Sequence, residues 1–108
     1  KTSFTLINGD PYLIRSFIQG LLVMDVKKDD IRLSFRLFSD MDENKIIDYW
    51  LKFLDFDIRH IGKSEIIEGN GTNKLPYGMC RVRVRKGARY FKRVMSMIDL
   101  IKSSFTLP

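Results

Sequence analysis

The sequence predicts an α+β fold: a four-stranded antiparallel sheet with helices on one face and a basic, open second face. Three observations carry this expectation. Apolar residues recur at helical spacing in three segments. Segments of alternating polarity lie between them. On the best of these alternating segments the polar positions are mostly arginine. The element order that follows is α-β-β-α-β-β-α.

The first helix opens at Asp10-Pro11, a capping acceptor followed by proline at the first helical position. Leu13, Ile14, Phe17, Ile18, Leu21 and Leu22 form its apolar face. A short strand over 23–27 then turns through Lys28-Asp29-Asp30 into a second strand. That strand sets Ile31, Leu33, Phe35 and Leu37 on one side and Arg32, Ser34 and Arg36 on the other. Asp40 and Glu43 have the spacing of a capping box, so the second helix starts there, with Ile46, Ile47, Trp50, Leu51 and Leu54 inward. A third strand is expected over 56–63, with Arg59 and Lys63 on the same side. After a polar loop over 68–74 and Pro76, the fourth strand runs over 79–85. Cys80, Val82 and Val84 face one way there, and Arg81, Arg83 and Arg85 the other. The third helix follows Gly87 and turns Phe91, Val94, Met95, Ile98 and Ile101 toward the core.

Length and composition narrow the function. A chain of 108 residues is expected to form a single domain over 1–108, and beginning at Lys1 is compatible with a piece of a longer protein. Hydrophobic content of 44% excludes a disordered basic tail, and a single cysteine excludes a disulfide scaffold. No apolar run approaches the ~18 residues of a membrane span. No signal-peptide pattern opens the chain, so an intracellular location is expected. The net charge of +6 is lopsided: residues 79–102 hold eight basic side chains and one acid, Asp99.

The element order is that of the LAGLIDADG homing-endonuclease fold, and one segment resembles the motif that names this family. In Phe17-Ile18-Gln19-Gly20-Leu21-Leu22-Val23-Met24-Asp25-Val26, Ile18 takes the leading leucine, Gly20 the helix-packing glycine, and Leu21 and Leu22 the next apolar positions. Asp25 takes the last acid, which in active members binds the divalent metal. The resemblance covers about residues 12–101. Val23, Met24 and Val26 depart from the motif, standing where it has its first acid, a small residue and its closing glycine. The resemblance therefore implies a non-cleaving relative that keeps the DNA-binding sheet. An active nuclease would need Asp25 as metal ligand and Mg²⁺ as cofactor; otherwise no cofactor is expected.

Read from the residues alone, the arginines carry the functional expectation. Alternate residues of a strand lie about 6.6–6.8 Å apart on one face, so Arg81, Arg83 and Arg85 can track a phosphate backbone. Arg32, Arg36, Arg59 and Lys63 widen the patch from neighbouring strands, and Lys86, Arg89, Lys92 and Arg93 flank it from the third helix. A solvated sheet face usually mixes charges, because like charges side by side repel. Arginine over lysine, six to one on these strands, suits bidentate contacts to phosphate or guanine. Tyr77 and Phe38 are candidates for stacking on bases, whereas Phe17, Phe35, Trp50 and Phe91 fall on core stripes. His60 reads as a packed core residue, Cys80 as a buried thiol, and Asp25 alone as an exposed acid or cap.

The leading expectation is a non-catalytic nucleic-acid-binding domain, for duplex DNA, docking through the arginine-rich sheet face. Gly20 on the first helix would allow a homodimer through close helix approach. Two alternatives stay open. One is a regulatory or assembly module whose basic face binds an acidic protein or an anionic membrane. The other is a metal-dependent endonuclease of the homing type.

Overall fold

Strict alternation builds the two central strands. In β2 (Ile31–Phe38) Ile31, Leu33, Phe35 and Leu37 are buried, and the residues between them are partly exposed. In β4 (Met79–Val84) Cys80, Val82 and Val84 are buried, and burial pushes the Cys80 thiol's pKa far up. The computed structural model describes residues 4–69 and 75–106, apart from the side chains at 88, 89, 94 and 104–106. It is an α+β fold in which three helices, α1 (Pro11–Val23), α2 (Glu43–Leu54) and α3 (Gly87–Thr106), cover one face of a four-stranded sheet.

The sheet order is β1-β4-β2-β3, with β1 (Phe4–Asn8) and β3 (Glu65–Ile67) at the edges. β4 pairs antiparallel with both β1 and β2, but β3 lies parallel to β2, so the sheet is mixed and not wholly antiparallel. The chain thus opens on a strand that the sequence reading did not place. The order is β-α-β-α-β-β-α and not α-β-β-α-β-β-α. Residues 23–27 form no strand; they close α1 and lead into a short 3-10 turn, Lys28–Asp30. Residues 56–63 hold a second 3-10 turn, Ile58–His60, because the Asp57 carboxylate accepts from Arg59 N at 3.1 Å. From this segment Ile61 forms an isolated parallel bridge to Leu33 of β2.

The helix ends have local chemical causes. Asp10 Oδ1 accepts from Tyr12 N at 2.9 Å and caps α1 as expected. At α2 the cap is Asp42 and not Asp40, its carboxylate accepting from Lys45 N at 3.2 Å. α1 ends with the Val26 N–H bonded to Leu21 O and the Asp25 N–H to Leu22 O, while Asp25 takes φ 71°. Glycine is the usual residue at such a C-terminal position, because a Cβ strains a left-handed backbone. A carboxylate there also faces the negative end of the helix dipole. Asp25→Gly is therefore expected to stabilise the fold by about 1 kcal/mol, raising Tm by several degrees in a thermal melt. An unchanged or lower Tm would contradict this account of the turn.

Packing centres on α1, which touches both other helices as well as β1 and β4. Ile14, Phe17 and Leu21 are buried against the apolar sheet face. Gly20 lies against Met97 of α3, and a Cβ at that position would overlap the methionine side chain. The small residue in the motif-like segment thus serves helix packing inside this chain. Trp50 is fully buried on α2, with its ring 6.1 Å from Phe35 and its Nε1–H donating to Tyr77 O at 2.8 Å. At Gly78, φ is +67° and a Cβ would sit 2.6 Å from Arg36 O, so only glycine lets β4 start this close to β2.

α3 buries a stripe that matches the expected one only in part. Tyr90 and Met97 are in the core, with Ile98 and Ile101 partly buried as expected, whereas Phe91 and Met95 are about half and a little over a third exposed. The Val94 side chain lies outside the described residues. The rotation has a polar cause: the Tyr90 hydroxyl donates to the buried Asp30 carboxylate at 2.8 Å.

Candidate functional site

The uncovered face of the sheet is built in cross-strand rows. Arg83 stands between Thr5 and Arg32, Arg81 between Ile7 and Ser34, and Arg36 between Met79 and Glu65. The strand pleat turns all of these side chains to the same side, opposite the buried stripe. Arg85 follows in the turn after β4, where its N–H is bonded to Asp30 O. Beside β2 the chain returns through Ile61-Gly62-Lys63, held by the Gly62 N–H donating to Leu33 O at 2.6 Å. Between this wall and the sheet lies a depression of about 500 Å³, lined by Arg32, Ser34, Gly62, Lys63, Arg81, Arg83 and Arg85 among others.

Charge is distributed unevenly over the face. Glu65 lies at one end, with Oε1 3.0 Å from Arg36 Nε and 4.0 Å from Arg81 Nη2. At the other end Arg83 and Arg85 are exposed, and no carboxylate among the described residues pairs with them or with Lys63. Arg32 Nη1 donates to Asp29 O at 2.9 Å and Ile31 O at 3.3 Å, contacts that orient the guanidinium without neutralising it. Arg83 and Arg32 are direct cross-strand partners, an arrangement of like charges that works against the fold.

Of the eleven basic residues singled out from the sequence, the depression gathers Arg32, Lys63, Arg81, Arg83 and Arg85, with Arg36 on the same face beyond them. The others lie elsewhere. Arg59 turns to Asp57 (3.3 Å) and Asp29 (3.9 Å) in the 3-10 turns. Lys86 Nζ is 3.7 Å from Asp30 Oδ1, and Arg93 Nη1 donates to Met24 O at 2.9 Å, which holds it on the helical layer. Lys92 is exposed on that layer, and the Arg89 side chain lies outside the described residues.

Glu65, Ser34 and Gly62 are site residues that the sequence reading did not include. Glu65 escaped because the third strand was placed over 56–63, two residues too early to include it. Its signal was present as Lys63-Ser64-Glu65, an alternation that carries opposite charges to one side.

The stacking and metal candidates fare differently from the arginines. Tyr77 is stacked on Tyr49 at 3.9 Å, in a group with Phe53 and Tyr12, and burial together with Tyr77 and Tyr12 raises the Tyr49 hydroxyl's pKa. Asp25 is exposed in the turn after α1. Asp30 is committed to Tyr90 and Lys86, and Asp29 lies beside Arg59 and His60. Among the described residues no three His, Cys, Asp or Glu side chains are grouped so as to hold a metal ion. His60 is buried as expected, with Nδ1 3.2 Å from Asp57 Oδ1, but neither ring nitrogen makes a hydrogen bond. No described helix is long and apolar enough to cross a membrane.

Compared with known protein families, curated proteins and solved structures, the chain has no significant match.

Proposed function

We propose that the open sheet face binds nucleic acid, duplex DNA in the first place, through phosphate contacts and without catalysis. One observation carries the reading: Arg83 sits directly opposite Arg32 across two strands, beside Arg85 and Lys63, with no described carboxylate paired to Arg83, Arg85 or Lys63. Like charges so placed cost stability. An anionic ligand that spans several of them turns that cost into affinity. A polyanion of regular spacing fits a strand-borne ladder better than a single small anion does. Tyr77 is already stacked on Tyr49, which favours a duplex over a single strand held by base stacking.

The test is a salt titration of binding to a short duplex. If Arg32, Arg83, Arg85 and Lys63 each meet a phosphate, log K should fall against log salt with a slope of roughly −3 to −4. The same titration with acidic vesicles and a polyanionic protein separates the regulatory-module alternative. Equal or tighter binding to either at matched salt would overturn the DNA reading.

Glu65 supplies an internal check. Its carboxylate occupies Arg36 and Arg81, so Glu65→Gln should release both for phosphate. The variant is expected to bind the duplex several-fold tighter and to steepen the salt slope by about 1 to 2. Weaker binding in Glu65→Gln would instead make Glu65 a part of the contact surface.

A further inference from the structure

The two edges of the sheet differ in a way that bears on assembly. β3 is three residues long and carries Glu65. β1, at the other edge, is Phe4-Thr5-Leu6-Ile7-Asn8, with no charge and no proline. An edge strand turns unpaired N–H and C=O groups outward, where they can template another strand. Folded proteins blunt such edges with charge, proline, bulges or short length. β1 carries neither charge nor proline, and among the described residues no strand lies beyond it. Alongside, α3 sets an apolar strip. The Phe91 ring is 5.4 Å from that of Phe4 and 49% exposed, and Met95, one turn on, is 37% exposed. This is the same pair of residues that the rotation of α3 turned away from the core.

We infer that a second copy of this chain pairs with β1, strand against strand and antiparallel, about a twofold axis normal to the sheet. Three features select a second copy over another occupant. An antiparallel pair of identical strands is closed by a twofold, so each copy's outward donors meet the other's acceptors without a further sequence. An axis normal to the sheet also keeps both α3 helices on one side, where their Phe91 and Met95 strips face each other across the axis and leave water. Finally, neither β1 nor those two strip residues carry a charge that would select an ionic peptide. The same axis sets both open faces on one side, joining two four-stranded sheets into one of eight strands. The two β4 strands then lie three strand spacings apart, about 14 Å. The pairing stands independently of what the open face binds.

Sedimentation velocity over a range of protein concentrations tests it. The intact chain should approach twice the 12.7 kDa monomer mass as concentration rises. Since each copy carries a net charge of +6, pairing should tighten as salt is added, opposite to polyanion binding. Thr5→Lys, at an exposed edge residue, and Phe91→Lys, on the strip, should each raise the dimer dissociation constant at least ~10-fold, about 1.4 kcal/mol. Ile58→Lys, at an exposed residue in the turn after α2, should leave it unchanged. Hydrogen exchange supplies a second reading that needs no variant: amides of residues 4–8 should gain protection as the concentration rises. A wild-type chain that stays monomeric throughout would overturn the inference, and so would a dimer insensitive to both Thr5→Lys and Phe91→Lys.

Discussion

Replacing Arg83 and Arg85 together with alanine is expected to weaken duplex binding roughly 100-fold near 0.1 M salt, and to flatten the salt slope by about 2. Each guanidinium offers charge-assisted hydrogen bonds to phosphate, and neither is neutralised by a described carboxylate. The fold should not suffer. Both side chains are exposed, and removing Arg83 relieves its repulsion with Arg32, so stability should stay within about 0.5 kcal/mol of wild type or rise. This pairing of lost affinity with kept stability separates a binding role from a structural one. Unchanged affinity and slope would refute the open-face reading. Loss of affinity accompanied by a lower Tm would assign the arginines to the fold.

Trp50→Ala should have the largest effect on stability, a loss of about 3–5 kcal/mol. The indole is fully buried between α2 and the sheet, close to Phe35 and Tyr49, and it donates to the Tyr77 carbonyl. Alanine would open a cavity and leave that carbonyl without its partner. A domain of this size has about 5–15 kcal/mol in all, so the variant should lie close to its unfolding transition at physiological temperature. Urea titration followed by far-UV circular dichroism measures the loss. Trp50→Phe keeps most of the volume and drops the hydrogen bond, and should cost markedly less. If the alanine variant lost under about 2 kcal/mol, the core would centre elsewhere.

How much could be read in advance follows from how local each cause is. β2 and β4 were legible because their alternation is written in consecutive residues, large apolar against arginine. The α1 cap was legible for the same reason, Asp10 preceding Pro11. β3 was not: three residues hold little pattern, and its parallel pairing with β2 is decided by where α2 delivers the chain. β1 alternates Phe4, Thr5 and Leu6 but stops at Gly9, and only pairing with β4 makes it a strand. The inward stripe of α3 turned on one distant contact, the Tyr90 hydroxyl on Asp30, which no helical periodicity encodes. At the candidate site the arginine ladder was visible, whereas its partition was not. Separating Arg81, Arg83 and Arg85 from Arg59, Lys86 and Arg93 depends on Asp29, Asp30 and the Met24 carbonyl being close in space.

The sheet is completed from the far end of the chain. β4 lies between β1 and β2, and it pairs Phe4 with Val84, 80 residues downstream. Neither of the first two strands can acquire its antiparallel neighbour until that segment exists. During synthesis the opening strand must therefore wait, unpaired, while most of the domain is made. High contact order of this kind slows folding, because the entropy of closing the loop is lost before any strand pairing repays it. It also ties the open face to the last strand. The basic face is a property of β4 and its two neighbours together, so a truncated chain exposes an uncharged strand without ever presenting an arginine ladder.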